Sequence, residues 1–430
     1  MTDQKPTILI IFGISGDLAQ RYLLPAIKQI GKAKMLPSKF EIVGITRQKN
    51  SKFFRMDLTD KKDYERLNEY LIKIEKKFGV PTQRLFYLSV PPEACRQIVE
   101  SIGKSSLKIK ERNGLPSKIL LEKPFGSDLK SAKELVGHVS RYFDDEHIYR
   151  IDHYMAKEAA QNLIVFRDSN SLFKRTWNSD FIESIEIVVS EKLGIEGRAN
   201  FYEQTGALRD VVQSHLLQLA ALVLMELPHK PEDVPILREK ALKNLNIVCD
   251  ITKNECVKRA QYDSYRAEVG NPKSTTETFV SINLQSSDPA WKGVPVILTA
   301  GKALRERLTV IKVRFRRDEE NRENQSNELL IRIQPNPGIE FGIWIKTPGF
   351  EHKASEQVLD FLFNENYKKL PEAYEQVLFN AVNSDHSFFT SSREILETWR
   401  ILDSIQKVWK ISDNDLTFYK RGSSIEEVMS

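Results

Sequence analysis

Only three cysteines occur in 430 residues, Cys95, Cys249 and Cys256. They are too few and too irregularly spaced for a disulfide framework or a zinc motif, so packing roles in a reducing, cytoplasmic compartment are expected, and no metal site. No hydrophobic run approaches the length of a bilayer span, and the N-terminus lacks a basic segment leading into an apolar one, which argues against a membrane partner or a secretory signal. The formal charge is only +5, with its basic residues dispersed. A nucleic-acid partner is therefore not expected, whereas small anionic ligands are. Repeats and low-complexity tracts are also missing. What remains is 41% hydrophobic and 29% charged, enough for roughly two or three domains with substantial cores.

Thr7 to Phe12 (TILIIF) has the composition of a strand buried on both faces, and Gly13-Ile14-Ser15-Gly16-Asp17-Leu18 follows it directly. Glycines allow a tight turn and close approach of a pyrophosphate to the N-terminus of the next helix. The spacing departs from G-x-G-x-x-G, and its weight comes from the strand–turn–helix context. A second strand, Phe40 to Ile45, ends at Thr46-Arg47-Gln48. An acidic residue there would hold a ribose diol; Arg47 suits the 2′-phosphate of NADP, unless it is simply solvated. Apolar runs at Leu85 to Val90 and Ile119 to Leu121 end in Pro91-Pro92 and in Glu122-Lys123-Pro124. Helical segments lie between them, the pattern of a parallel α/β sheet whose carboxyl edge receives ligands. Lys123 sits at that edge.

The stretch Ile148 to Arg167 gathers Asp152, His153, Tyr154, Lys157 and Glu158 behind a short apolar run. A strand-to-helix junction of this kind offers unpaired amides to an anion, and His153 and Lys157 share a face if the first helical turn is already formed. The alternative is that Asp152 only caps the helix and Lys157 and Glu158 are solvated. Beyond it, strands follow strands at 182–189, 276–284, 294–299, 308–315, 328–333 and 338–345, with helices at 206–225, 233–245, 371–383 and 393–410. This indicates an α+β domain on a mainly antiparallel sheet, with the boundary between residues 151 and 152. The polar run 316–327 is expected to be an exposed hairpin loop. In the helix Thr205 to Met225, His215 is either a hydrogen-bonded core residue or a general base, and the nearby Arg209 and Asp210 favour a site. Asp152 is a candidate carboxylate for His215 if the junction faces that helix.

IFGISGDLAQRYLLPAI, LLEKPFGSDL, IYRIDHYMAKEAAQNL, EGRANFYEQTGALRDVVQSHLLQ, WKGVPVILTAGKALRER and ELLIRIQP occur in this order. From about residue 7 to residue 409 the chain resembles the glucose-6-phosphate dehydrogenases. The resemblance implies a Rossmann domain, 1–151, followed by a larger α+β substrate and dimerisation domain, 152–430, in a homodimer or homotetramer. It implies oxidation of glucose 6-phosphate to 6-phosphogluconolactone, the first oxidative step of the pentose phosphate pathway, with NADP or, in some members, NAD. Residue by residue it makes His215 the base, paired with Asp152. His153, Tyr154 and Lys157 match phosphate-binding positions, and Lys123, Glu191, Asp210, Lys302 and Arg307 match positions that hold the sugar or its phosphate. Gly13, Ser15, Gly16, Asp17, Leu18, Arg47 and Lys123 match the cofactor site. There are departures. Tyr22 stands where a lysine is usual, Met155-Ala156 replaces Leu-Gly, and the segment from Arg47 to Arg84 is short. Thr299 and Leu308 replace two basic residues of a second, structural NADP site that some members carry, leaving Arg332 alone. A noncatalytic binder of nucleotide or sugar phosphate, or a dehydrogenase of another hexose 6-phosphate, are the competing readings.

Overall fold

The computed structural model describes residues 5–48, 51–110, 114–253, 255–317 and 325–430. Its contacts divide the chain into two units, of which the first comprises residues 1–156, 229–235 and 371–396. Six parallel strands form its sheet: β1 (Thr7–Phe12), β2 (Phe40–Thr46), β3 (Phe54–Arg55), β4 (Gln83–Leu88), β5 (Lys118–Leu121) and β6 (Ile148–Arg150). Their order is β3-β2-β1-β4-β5-β6. It reverses between β1 and β4, so the crevice of a dinucleotide fold opens where β1 ends. Every residue of β1, β4 and β5 is buried, as a sheet covered on both faces requires.

The first unit is discontinuous, which corrects the single boundary expected at 151/152. Val377, Leu378, Ala381 and Val382 of the helix Ala373–Asn383 pack into one core with Leu9, Ile11, Leu85, Tyr87 and Leu120. Gln83 ties this return to the sheet, its Nε2 donating to Val382 O at 2.8 Å and to Thr7 Oγ1 at 2.7 Å. That helix was expected to belong with the second half of the chain. Local pattern reveals its amphipathic character but not which sheet it covers.

The second unit comprises residues 157–228, 236–370 and 397–430. Its strands are β7 (Ile182–Ser190), β8 (Leu245–Asn246), β9 (Val257–Tyr262), β10 (Phe279–Ser286), β11 (Pro295–Gly301), β12 (Leu308–Phe315), β13 (Glu328–Gln334), β14 (Gly338–Lys346), β15 (Ala354–Leu362) and β16 (Leu416–Tyr419). They form one mixed sheet in the order β15-β14-β13-β12-β7-β11-β10-β9-β16, with β8 beside β10. Pairing is antiparallel except for β7 with β11 and β9 with β16. Strands β8, β9, β15 and β16 were not anticipated. The tip of the expected hairpin loop, 318–324, lies outside the described residues, and its flanks β12 and β13 pair antiparallel.

Two sequence expectations are corrected in this unit. The helix Ala199–Leu224 is long and apolar enough for a bilayer span, contrary to the reading that no stretch approaches it, but its apolar part is mostly buried within the structure. It lies on β7 and β11, so its apolar surface is protein core. Cys249 and Cys256, expected as packing residues, form a disulfide with Cα atoms 6.2 Å apart, within the usual span.

Candidate active site

At the end of β1 the chain must turn sharply beneath β4. Gly13 does so at φ +80°, and a Cβ there would lie 2.1 Å from the Ser89 carbonyl oxygen, so only glycine fits. The Gly16 amide closes the turn on Gly13 O at 2.8 Å. Asp17 and Leu18 open the helix, which widens to π geometry over Ala19–Leu23 and continues as α-helix over Leu24–Lys32. Ser15 Oγ lies 3.2 Å from Thr46 Oγ1, which joins this turn to the end of β2 and hence to Arg47. Arg47 borders a cleft of about 680 Å³ lined also by Phe54, Arg55, Met56, Asp57, Asp63 and Arg66. Arg66 stacks over the Phe54 ring at 5.1 Å and pairs with Asp63 at 3.1 Å. The amide and hydroxyl of Thr59, and then Arg47, hold the Asp57 carboxyl below its ordinary range. Arg47 was a candidate from the sequence, whereas Arg55 and Arg66, which line the same cleft, were not. They reach the cleft through β3, two residues long, and the helix Lys61–Phe78, in the segment noted only as short.

Lys123 follows β5 and Asp152 follows β6, at the same carboxyl edge. Asp152 Oδ1 accepts from the Tyr154 amide at 2.8 Å, and the Ala156 amide donates to Asp152 O at 3.3 Å. The carboxylate therefore braces its own turn. It is not the helix cap, a role taken by Lys157 in extended conformation before the helix Glu158–Ser169. The helix starts too late for His153 and Lys157 to share a helical face, which corrects that expectation. The His153 and Tyr154 rings lie 4.9 Å apart.

In the second unit the decisive element is the helix bearing His215. It kinks at Gly206, with φ 63° and ψ 179°, where a Cβ would stand 2.3 Å from Glu277 Oε1. Glu277 fills the space a side chain would need, accepting from the Leu208 amide at 2.9 Å. Its buried carboxyl is raised in pKa by desolvation, against the pull of that amide. From Leu208 to Leu216 the helix is π-wound. Asp210 and His215 are thus one i→i+5 step apart, where α-helical winding would set them about 140° apart around the axis. His215 is 2% exposed. A period of 3.6 cannot reveal such a turn, so the sequence offered the residues without their geometry.

The remaining second-unit candidates fall at strand ends. Lys302, just beyond β11, is 2% exposed. Its Nζ lies 2.8 Å from Glu191 Oε2 and 5.2 Å from the centre of the Tyr202 ring. Burial first, then the Asp210 and Glu277 carboxylates, drive the Tyr202 hydroxyl far above its ordinary pKa. Lys302, paired with Glu191, thus stands over the ring of a buried tyrosine whose hydroxyl also feels the Asp210 charge. Lys157 Nζ donates to Gln334 Oε1 at the end of β13, and Arg307 is exposed in the link before β12. Thr299 bonds Ser281, and Arg332 directs two of its five N–H donors at Glu340.

The chain matches the family model described as glucose-6-phosphate dehydrogenase, NAD binding domain, over residues 10–53 and 48–162, and that described as the C-terminal domain over 164–428. It is 34% identical to a glucose-6-phosphate 1-dehydrogenase of Chlamydia muridarum, covering 94% of this chain and 90% of that one. Against the enzyme of the same name from Dictyostelium discoideum it is 34% identical, covering 98% and 93%. A solved glucose-6-phosphate dehydrogenase in complex with glucose 6-phosphate superposes with a TM-score of 0.91 at 29% identity, covering 99% of this chain and 96% of that one. A glucose-6-phosphate 1-dehydrogenase from Mycobacterium avium superposes with a TM-score of 0.82 at 28% identity, covering 98% and 95%.

Proposed function

We infer the reaction from one premise: the chain belongs to the glucose-6-phosphate dehydrogenase family. It is an oxidoreductase that oxidises glucose 6-phosphate with a nicotinamide cofactor. The observation that carries the catalytic assignment is the buried His215 on its π-wound turn, one step from Asp210. In this reading His215 takes the proton from the C1 hydroxyl, since a neutral imidazole is the side chain best matched to that transfer near pH 7. Asp152 supplies the carboxylate that fixes the imidazole tautomer. His153, Tyr154 and Lys157 hold the phosphate, while Lys123, Glu191, Asp210, Lys302 and Arg307 position the sugar.

NADP is the cofactor we assign. The Gly13 turn and the helix it opens fit a pyrophosphate, and Arg47 with Arg55 and Arg66 gives its cleft three guanidinium groups for a 2′-phosphate. The bound nicotinamide supplies the acceptor for the C1 hydride. NAD, which lacks the phosphate that Arg47 would hold, is the weaker alternative.

A homodimer or homotetramer, in a cytoplasm where the Cys249–Cys256 disulfide would have to persist against reduction, completes the reading. Support for assembly comes from β15, an edge strand on which Val358, Leu359 and Phe361 are exposed; sedimentation would count the subunits. The test of function is absorbance of the reduced cofactor with a panel of hexose 6-phosphates and both nucleotides. Glucose 6-phosphate with NADP should give the highest kcat/KM. His215→Asn should lower kcat by about 10² to 10⁴ with glucose 6-phosphate affinity nearly unchanged. Wild-type turnover in that variant would remove His215 from the mechanism.

A further inference from the structure

Beside Lys123 lies an ionisable group for which the reaction has no use. The carboxyl of Glu122, the residue that follows β5, is turned inward: it accepts from the hydroxyl of Tyr87, a residue of β4 that is 0% exposed. Tyr374, from the helix Ala373–Asn383, bonds the same carboxyl. The ring of Tyr374 is covered in turn by Tyr22, on the π-wound turn after Gly13, with ring centres 5.6 Å apart. Two tyrosines from two separate elements thus hold one carboxyl at the carboxyl edge of the sheet, and a third covers the outer of the two. Among the described residues, the Lys123 charge also acts on Glu122.

We propose that Glu122 is a positioning residue for Lys123, held by Tyr87 and Tyr374 under the cover of Tyr22, and that its charge sets how strongly Lys123 attracts a phosphate-bearing ligand. Two neutral hydroxyls donating into a carboxylate fix its orientation, and with it the turn on which the lysine stands. Protonated, Glu122 adds no negative charge beside the lysine. Ionised, it cancels much of that charge at close range. Desolvation, partly opposed by the Tyr87 bond, by Lys123 and by Tyr374, pushes the carboxyl up to about 7, so both forms are present at neutral pH.

The proposal rests on Lys123 being a ligand-binding group, and it is tested by binding, so turnover measured in parallel reports separately on the reading of function. Glucose 6-phosphate is titrated calorimetrically into the wild type, Glu122→Gln and Tyr374→Phe from pH 6 to pH 8.5 without cofactor. The ligand's own titration is common to all three curves. Relative to Glu122→Gln, the wild-type Kd should weaken by about three- to tenfold across this range, as a charge appears beside Lys123. Tyr374→Phe removes a donor to the ionised form and should move that step to higher pH. A residue that only packs would change affinity without moving the step. Parallel wild-type and Glu122→Gln curves, or an unmoved step in Tyr374→Phe, would overturn the proposal.

Discussion

The two ends of β5 carry the same electrostatic disturbance with opposite signs. At the amino end, burial pushes Lys118 down to about 7; at the carboxyl end, burial pushes Glu122 up to about 7. Both shifts arise because a charge loses water. Their surroundings separate them. Lys118 Nζ donates to Ala381 O at 3.0 Å and Ser384 Oγ at 2.6 Å, and lies 5.4 Å from the centre of the Tyr149 ring. It closes the end of the helix Ala373–Asn383, whose last carbonyls need donors. Glu122 instead stands beside a lysine at the edge where this fold binds ligands. A perturbed pKa marks burial, and only position tells structure from function.

The sharpest way to break this contrast is Lys118→Ala. It should cost about 2 to 4 kcal/mol of stability through a cavity and an unsatisfied carbonyl, measured by denaturant unfolding, while kcat/KM per folded molecule stays within twofold. Lost activity at unchanged stability would place Lys118 with the ligand edge. Next in size is Arg47→Ala at the carboxyl end of β2. Removing a charge-assisted contact worth about 1.5 to 3 kcal/mol should raise KM for NADP by about ten- to a hundredfold, and that for NAD by less than about threefold. Equal effects on both would show that Arg47 points away from the 2′-phosphate.

The pH dependence of stability gives a smaller test. Glu122 has a folded pKa raised above its unfolded value, so its contribution is fully present below about 4.5 and is lost as pH rises through about 7. Lys118 has a depressed one, so its contribution is present above about 10.5 and lost as pH falls through about 7. His386, lowered to about 4 chiefly by burial, contributes above about 6.5 and loses it as pH falls through about 4. Because these overlap, the difference between proteins is the clean quantity. Glu122→Gln should gain about 1 to 2 kcal/mol on the wild type between pH 5 and pH 8. A constant difference would mean that Glu122 stays ionised throughout.

What the sequence made legible follows from range. TILIIF and its glycine turn, the alternation of strand and helix to residue 150, and the long motifs of the second unit are local patterns, and the structure has them. The return of 371–396 to the first sheet is not local: Gln83 and Val382 are 299 positions apart. Strand β15 does not alternate between core and solvent: six of its nine residues, Glu356 to Phe361, are exposed in an unbroken run and the other three are half-buried. In β9, Arg259 reads as surface yet is 2% exposed, paired with Asp415 at 2.5 Å. At the site, Arg47 and His215 were recognisable by type. Arg66 depends on a tertiary stack, and the spacing of Asp210 and His215 around their helix depends on a π turn.

The smallest effect expected concerns Tyr22, where the family usually has a lysine. The tyrosine is 50% exposed, and its ring leans on Tyr374 rather than filling a core, so the helix itself should tolerate replacement. Tyr22→Lys restores a positive charge at the ligand edge and removes one ring contact. In an exposed setting that charge is screened, which limits the gain to about three- to tenfold in kcat/KM for glucose 6-phosphate, or about 1 kcal/mol. A fall in KM at constant kcat would show the charge holding the phosphate in the ground state. A rise in kcat would show it acting on the transition state. If the variant is slower, and more so at the pH where Glu122 ionises, then the ring's support of Tyr374 outweighs the missing charge. The carboxyl edge would in that case be organised around its tyrosines, and a hexose phosphate other than glucose 6-phosphate should be tried against Tyr22 itself.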